Sequence, residues 1–201
     1  MKTNRRDFLK AAAAAGVGAV AAPNLLSQRR ARSVVIIGAG LAGLAAAYKL
    51  KNAGCHFVIC PDNTLHQALP YVESRSPLPW LHIAEAVMAE ARKRGYERIG
   101  LSGTRWLMEG PVYPAALVRP DAAEREEMNS IIMDELVRGV FKPQAVAFFQ
   151  RVYTRMKEVG CEAVVMGCTE IPLIMNDANS PLPTLDSTRL LARAALQRAL
   201  R

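Results

Sequence analysis

The 201-residue chain sets 26 lysines and arginines against 18 aspartates and glutamates, a formal charge of +8, and 51% of its residues are apolar. That apolar share excludes a disordered or low-complexity polypeptide. Part of the positive excess lies in the opening segment, where Lys2, Arg5, Arg6 and Lys10 face Asp7 alone; the rest is spread over helical segments with no aromatic-basic stripe, which argues against a nucleic-acid partner.

Asn4-Arg5-Arg6-Asp7-Phe8-Leu9-Lys10 precedes an Ala/Gly-rich apolar run from Ala11 to Ala22, with small residues at Ala19-Val20-Ala21. An arginine pair, a short apolar stretch and a small-residue end together predict a twin-arginine export signal over residues 1–22. The run is too short and too rich in Ala and Gly to hold a bilayer. The export machinery is then a partner and the periplasm the destination; without export the protein is cytoplasmic.

Ser33-Val34-Val35-Ile36-Ile37 reads as a buried strand, followed by Gly38-Ala39-Gly40-Leu41-Ala42-Gly43 and an alanine-rich helix through Leu50. This is a dinucleotide fingerprint in its strand-turn-helix setting, in which Gly38, Gly40 and Gly43 let a pyrophosphate approach backbone amides at a helix N-terminus. The segment resembles the N-terminus of flavin-dependent amine oxidases, which implies FAD. The acidic ribose partner that the fingerprint requires falls at Pro61, one position before Asp62, so the alternative is that these glycines only close a tight turn.

A cadence of glycine, apolar strand and polar turn then occurs three times, at Gly54 to Thr64, Gly95 to Thr104 and Gly160 to Glu170. Asp62 stands eight residues after Gly54, Gly103 eight after Gly95, and Cys168 eight after Gly160. A common spacing delivers polar residues to one sheet edge, where α/β proteins place their chemistry. Between these strands, Leu69 to Pro79 reads as a loop and Trp80 to Arg94 as a helix with Ile83, Val87 and Ala91 inward. Ala122 to Val140 and Lys142 to Val159 read as amphipathic scaffold helices, the first with Met128, Ile132 and Leu136 inward. Ala163 to Met166 is a strand buried on both faces, and Ser187 or Thr188 caps the terminal helix.

The motifs Pro61-Asp62-Asn63-Thr64-Leu65-His66 and Gly167-Cys168-Thr169-Glu170, supported by Ser102-Gly103-Thr104 and Leu185-Asp186-Ser187-Thr188, resemble those of the aspartate/glutamate racemase family from about Lys51 to the C-terminus. The resemblance implies an α/β fold of parallel sheets flanked by helices, in two pseudo-symmetric lobes that each present one cysteine to a shared cleft. The predicted lobes are 32–110, with a Rossmann-like start and a truncated body, and 111–201. Asp62 stands where the family's first cysteine is usual.

Carried onto this chain, the resemblance implies Cys168 and Asp62 as catalytic residues, and Asn63, Thr64, Gly103, Thr104, Thr169 and Glu170 as substrate-binding residues. Cofactor-independent racemisation removes a Cα proton from one face and returns one on the other, so two acid/base groups must flank the carbon. A cysteine acts as base when its pKa is lowered, and the turn after Cys168 is expected to lower it. A carboxylate is a weaker base than a thiolate, so three arrangements stay open: Asp62 as second group, Cys60 in its place, or Cys168 alone. The expected substrate is aspartate, glutamate or a similar small acid, no cofactor is required, and a homodimer is open.

Among the four cysteines, Cys55 and Cys161 read as core thiols, with two disulfides as the alternative in an oxidising compartment. No second His, Cys or Asp stands at ligand spacing from His66, so no metal site is expected. Two other readings remain beside racemisation or isomerisation: a flavin or nicotinamide oxidoreductase using Gly38 to Gly43, and an inactive domain that binds a small carboxylate.

Overall fold

Two parallel sheets of three strands organise the protein. The computed structural model describes residues 54–200 together with the backbone of β1 (Ser33–Ile36), all within one unit, Arg32–Arg201. The predicted export signal and the glycines Gly38, Gly40 and Gly43 lie outside the described residues. The first sheet runs in the order β1, β2 (Cys55–Ile59), β3 (Trp80–Leu81), and the second in the order β4 (Ile99–Ser102), β5 (Ala163–Met166), β6 (Thr184–Asp186). All pairings are parallel, as the alternation of strands and helices predicts.

β5 is the core of the second sheet. Each of its four residues is at most 2% exposed, as expected of a strand covered on both faces. Ser102 fastens β4 to it: the hydroxyl donates to the Val165 carbonyl at 2.7 Å and accepts from Tyr153, also at 2.7 Å. Tyr153 lies on α5 (Pro143–Glu158), which buries Ala145, Phe148, Phe149, Val152 and Met156 against the same sheet. Gly160 ends that segment at φ +90° and turns the chain into β5, as Gly95 at φ +77° turns it into β4.

The sequence expectations need five corrections. Trp80–Leu81 is a strand, because these residues pair with Val58 and Ile59; the helix α2 (Ile83–Lys93) follows, and the His82 ring before it accepts from Ala84 N at 3.2 Å. Leu69 to Pro79 is not all loop, since α1 (Leu69–Val72) and flanking 3-10 turns occupy most of it. The helix expected over 122–140 ends as α4 (Ala122–Ser130), after α3 (Arg105–Glu109), and continues as a π turn over Ile131–Glu135 and a 3-10 turn over Leu136–Arg138. The terminal helix α6 (Ser187–Ala199) is capped by Asp186, whose Oδ1 accepts from Arg189 N at 3.0 Å. β4, read from the sequence as part of the 32–110 lobe, pairs with β5 in the second sheet.

Two features join the sheets. Although α6 follows β6, its Leu191 and Ala195 pack on Phe57 and Ile59 of β2 and on Ile83 of α2. Beneath it runs a buried hydrogen-bond chain: Tyr113 OH donates to Asn63 Oδ1 at 2.8 Å, Asn63 Nδ2 donates to Ser187 Oγ at 2.8 Å, and Ser187 donates to the Met166 carbonyl at 2.8 Å. Asn63, in the turn after β2, is therefore held by Tyr113 and by the ends of β5 and β6.

His66 fixes the same turn. Ile83 N–H donates to its Nε2 at 3.2 Å, so Nδ1 carries the proton and donates to the Asp62 carbonyl at 2.8 Å. Burial drives its pKa down to about 4.

Two outcomes follow for stability. Asn63→Ala strands the buried Tyr113 and Ser187 hydroxyls and is expected to cost about 2–4 kcal/mol in urea unfolding; a loss below about 0.5 kcal/mol would remove the clasp from the account. Because His66 binds its proton less well when folded, its contribution is fully present above about pH 6.5 and is lost as pH falls through about 4. The wild type should lose roughly 3 kcal/mol across that window, and His66→Gln should flatten the slope.

Candidate active site

Parallel register brings the strand ends level. Ser102 pairs with Met166 and Met166 with Asp186, so the turns after β4, β5 and β6 leave the second sheet side by side. The clasp through Asn63 holds the turn after β2 opposite them. Between these turns lies a cavity of about 190 Å³ lined by Asp62, Asn63, Thr64, Thr104, Gly167, Cys168, Thr169 and Glu170, with Ile132, Met133 and Val137 on its remaining side. That is below the roughly 300–1,000 Å³ of sites for drug-sized ligands and suits a small molecule.

Seven of the eight residues nominated from the sequence line this space: Asp62, Asn63, Thr64, Thr104, Cys168, Thr169 and Glu170. Gly103 does not. Its role is close packing, since a Cβ there would stand 2.8 Å from Leu107 and 3.2 Å from the Gly167 carbonyl. Cys60 also lies away from the cavity lining; it is 8% exposed, its Sγ is directed to the Asp62 carbonyl, and burial pushes its thiol pKa up. Cys55 and Cys161 are buried, and all four cysteines are free. Among the described residues no group of three or more His, Cys, Asp or Glu is placed to hold a metal ion.

The two sides of the cavity are tied by polar contacts. Thr64 and Thr104 share a hydrogen bond of 2.8 Å between hydroxyls, and Thr104 also caps α3 by accepting from Leu107 N. Asp62 Oδ1 accepts from Leu65 N at 3.0 Å, which orients the carboxylate. Across from it, Cys168 Sγ donates to Glu170 Oε2 at 3.0 Å, and Thr169 Oγ1 donates to the same oxygen at 2.6 Å.

These contacts correct the expected state of Cys168. The turn after it is a three-residue 3-10 segment, Ile171–Leu173, and the charges that act on the sulfur are the carboxylates of Glu170 and Asp62. Burial, then the Glu170 contact, push the thiol up to about 12, so at neutral pH it is a proton donor.

The apolar wall was not legible as part of a site. A helical reading at period 3.6 places Ile132 in the core, where it is indeed 0% exposed, and takes the segment as scaffold with its charges solvated. The π turn shifts the face, and Met133 and Val137, 40% and 54% exposed, stand at the cavity. Asn129 sets this segment against the Thr104 turn by accepting from Arg105 N at 3.1 Å.

Comparisons with known proteins bear on the family and the fold. The model of the Asp/Glu/Hydantoin racemase family matches residues 38–195, so its span includes Gly38 to Gly43, and that of the TAT (twin-arginine translocation) pathway signal sequence matches residues 2–22. The broad specificity amino-acid racemase RacX of Bacillus subtilis (strain 168) is 21% identical over 156 residues, 75% of this chain and 67% of that protein. A candidate Asp/Glu racemase from Yersinia pestis superposes with a TM-score of 0.74 at 33% identity, covering 80% of this chain and 73% of that one. An aspartate racemase homologue from Pyrococcus horikoshii OT3 gives 0.70 at 29% identity, covering 79% and 73%. With its parallel α/β fold and its export signal, the chain belongs to the Asp/Glu/hydantoin racemase family and is an isomerase of the cofactor-independent racemase type.

Proposed function

We propose that the protein racemises a small amino acid in the 190 Å³ cavity, with Asp62 and Cys168 exchanging protons with opposite faces of the Cα carbon. The observation that carries this reading is that the two residues come from turns of different sheets and line the same cavity. In the resting state the Asp62 carboxylate takes the Cα proton of one enantiomer while the Cys168 thiol gives its proton to the opposite face. This leaves Asp62 protonated and Cys168 as thiolate, the form that accepts the other enantiomer and restores the start. Thr64, Thr104 and Thr169 hold the α-carboxylate by hydroxyl and backbone donors, and Asn63 keeps the Asp62 turn in place. Aspartate and glutamate, the substrates that the family resemblance implies, are small enough for the cavity. Export through the twin-arginine pathway puts this activity in the periplasm.

Deuterium uptake at Cα in heavy water tests the reading. Cys168→Ser and Asp62→Asn should each lower exchange by about 100-fold or more; undiminished exchange in Cys168→Ser would overturn it. The state of the sulfur has its own readout. With its pKa at about 12, alkylation of Cys168 by iodoacetamide should rise by about tenfold per pH unit from pH 7 to 10 without a plateau. Glu170→Gln removes a charge that opposes ionisation and should speed alkylation at pH 8.

A further inference from the structure

We infer that the cavity takes an amino acid with an uncharged aliphatic side chain, packed on the Ile132, Met133 and Val137 wall, rather than one with a second carboxylate. The inference rests on the racemase reading for the identity of the site and adds the class of substrate. Its first support is the charge of the lining. Among the described residues the only acidic or basic side chains lining the cavity are Asp62 and Glu170, both acidic, and no lysine, arginine or histidine lines it. Residues 37–48, which follow β1 in sequence, contain no lysine, arginine or histidine either.

The cations nearest in sequence to the lining are engaged elsewhere. Arg105, next to Thr104, pairs with Glu126 at 3.0 Å and lies over the Trp106 ring. Arg138, next to Val137, is 3.6 Å from Asp134, and Lys142 pairs with Glu135 at 2.8 Å. Arg94, Arg189 and Arg193 gather around a different cavity beside β6. Consistent with this, the charges that act on the Cys168 sulfur are Glu170 and Asp62.

A bound amino acid must satisfy three groups. Its ammonium can meet a carboxylate of the site, and its α-carboxylate the threonine hydroxyls. A side-chain carboxylate would then enter a space with two acidic side chains and no cation among the described lining residues, at the cost of an unpaired anion. An aliphatic side chain would instead cover Met133 and Val137, which stand 40% and 54% exposed at the cavity.

The test uses the full folded chain and two readouts with L-norvaline, L-methionine, L-aspartate, L-glutamate and L-lysine: Cα deuterium exchange, and protection of Cys168 from iodoacetamide. Norvaline and methionine are expected to lead in both by about tenfold or more, the scale of one avoided like-charge contact. Better protection by aspartate, glutamate or lysine overturns the inference, as does the absence of protection by norvaline and methionine. Protection by norvaline without exchange of any amino acid sinks racemisation yet upholds the substrate class. Met133→Arg supplies the missing cation at an exposed position and should move the glutamate-to-norvaline protection ratio toward glutamate by about tenfold; an unchanged ratio removes Met133 from the substrate wall.

Discussion

The site depends on one buried asparagine. Asn63 accepts from Tyr113 and donates to Ser187, which in turn bonds the end of β5, so one side chain fixes the turn after β2 against the ends of the second sheet. Each partner is buried and has no water to replace a lost bond, which makes the arrangement all-or-none. The spacing of Asp62 and Cys168, one residue before Asn63 and two after Met166, follows from this link. Packing of α6 on β2 and α2 holds the same two sheets from the apolar side.

Electrostatics then decide the chemistry. Burial and the acidic groups around Cys168 make its thiol a weak acid that keeps its proton at neutral pH. The same surplus of negative charge makes the cavity a poor host for an additional anion. One local charge pattern thereby bears on both the direction of proton movement and the choice of side chain.

Much of this could be read before any coordinates. The uninterrupted apolar run Ala163 to Met166 can only be a strand covered on both faces, and the glycines at Gly95 and Gly160 mark helix ends because they occupy φ values that other residues avoid. The eight-residue spacing from glycine to polar turn put Asp62 and Cys168 at strand ends, although of two different sheets that face one cavity. What stayed hidden was whatever depends on partners distant in sequence: Ser187 and Tyr113 as the groups that hold Asn63, and Trp80 as a strand residue by virtue of Val58. The π turn at Ile131–Glu135 was also hidden, since an apolar pattern at period 3.6 carries no sign of one widened turn. The direction of the Cys168 shift was misread because a motif does not show how deeply its sulfur is buried, nor that Glu170, two residues on, turns its carboxylate to the thiol.

The hydrogen bond from Cys168 to Glu170 has one more consequence, for a chain that carries a twin-arginine signal sequence. The thiolate is the form that attacks peroxides and disulfides, and Cys55, Cys60 and Cys161 are already buried. Burial and the neighbouring carboxylate keep the fourth sulfur protonated, which slows its oxidation although it is the least buried of the four.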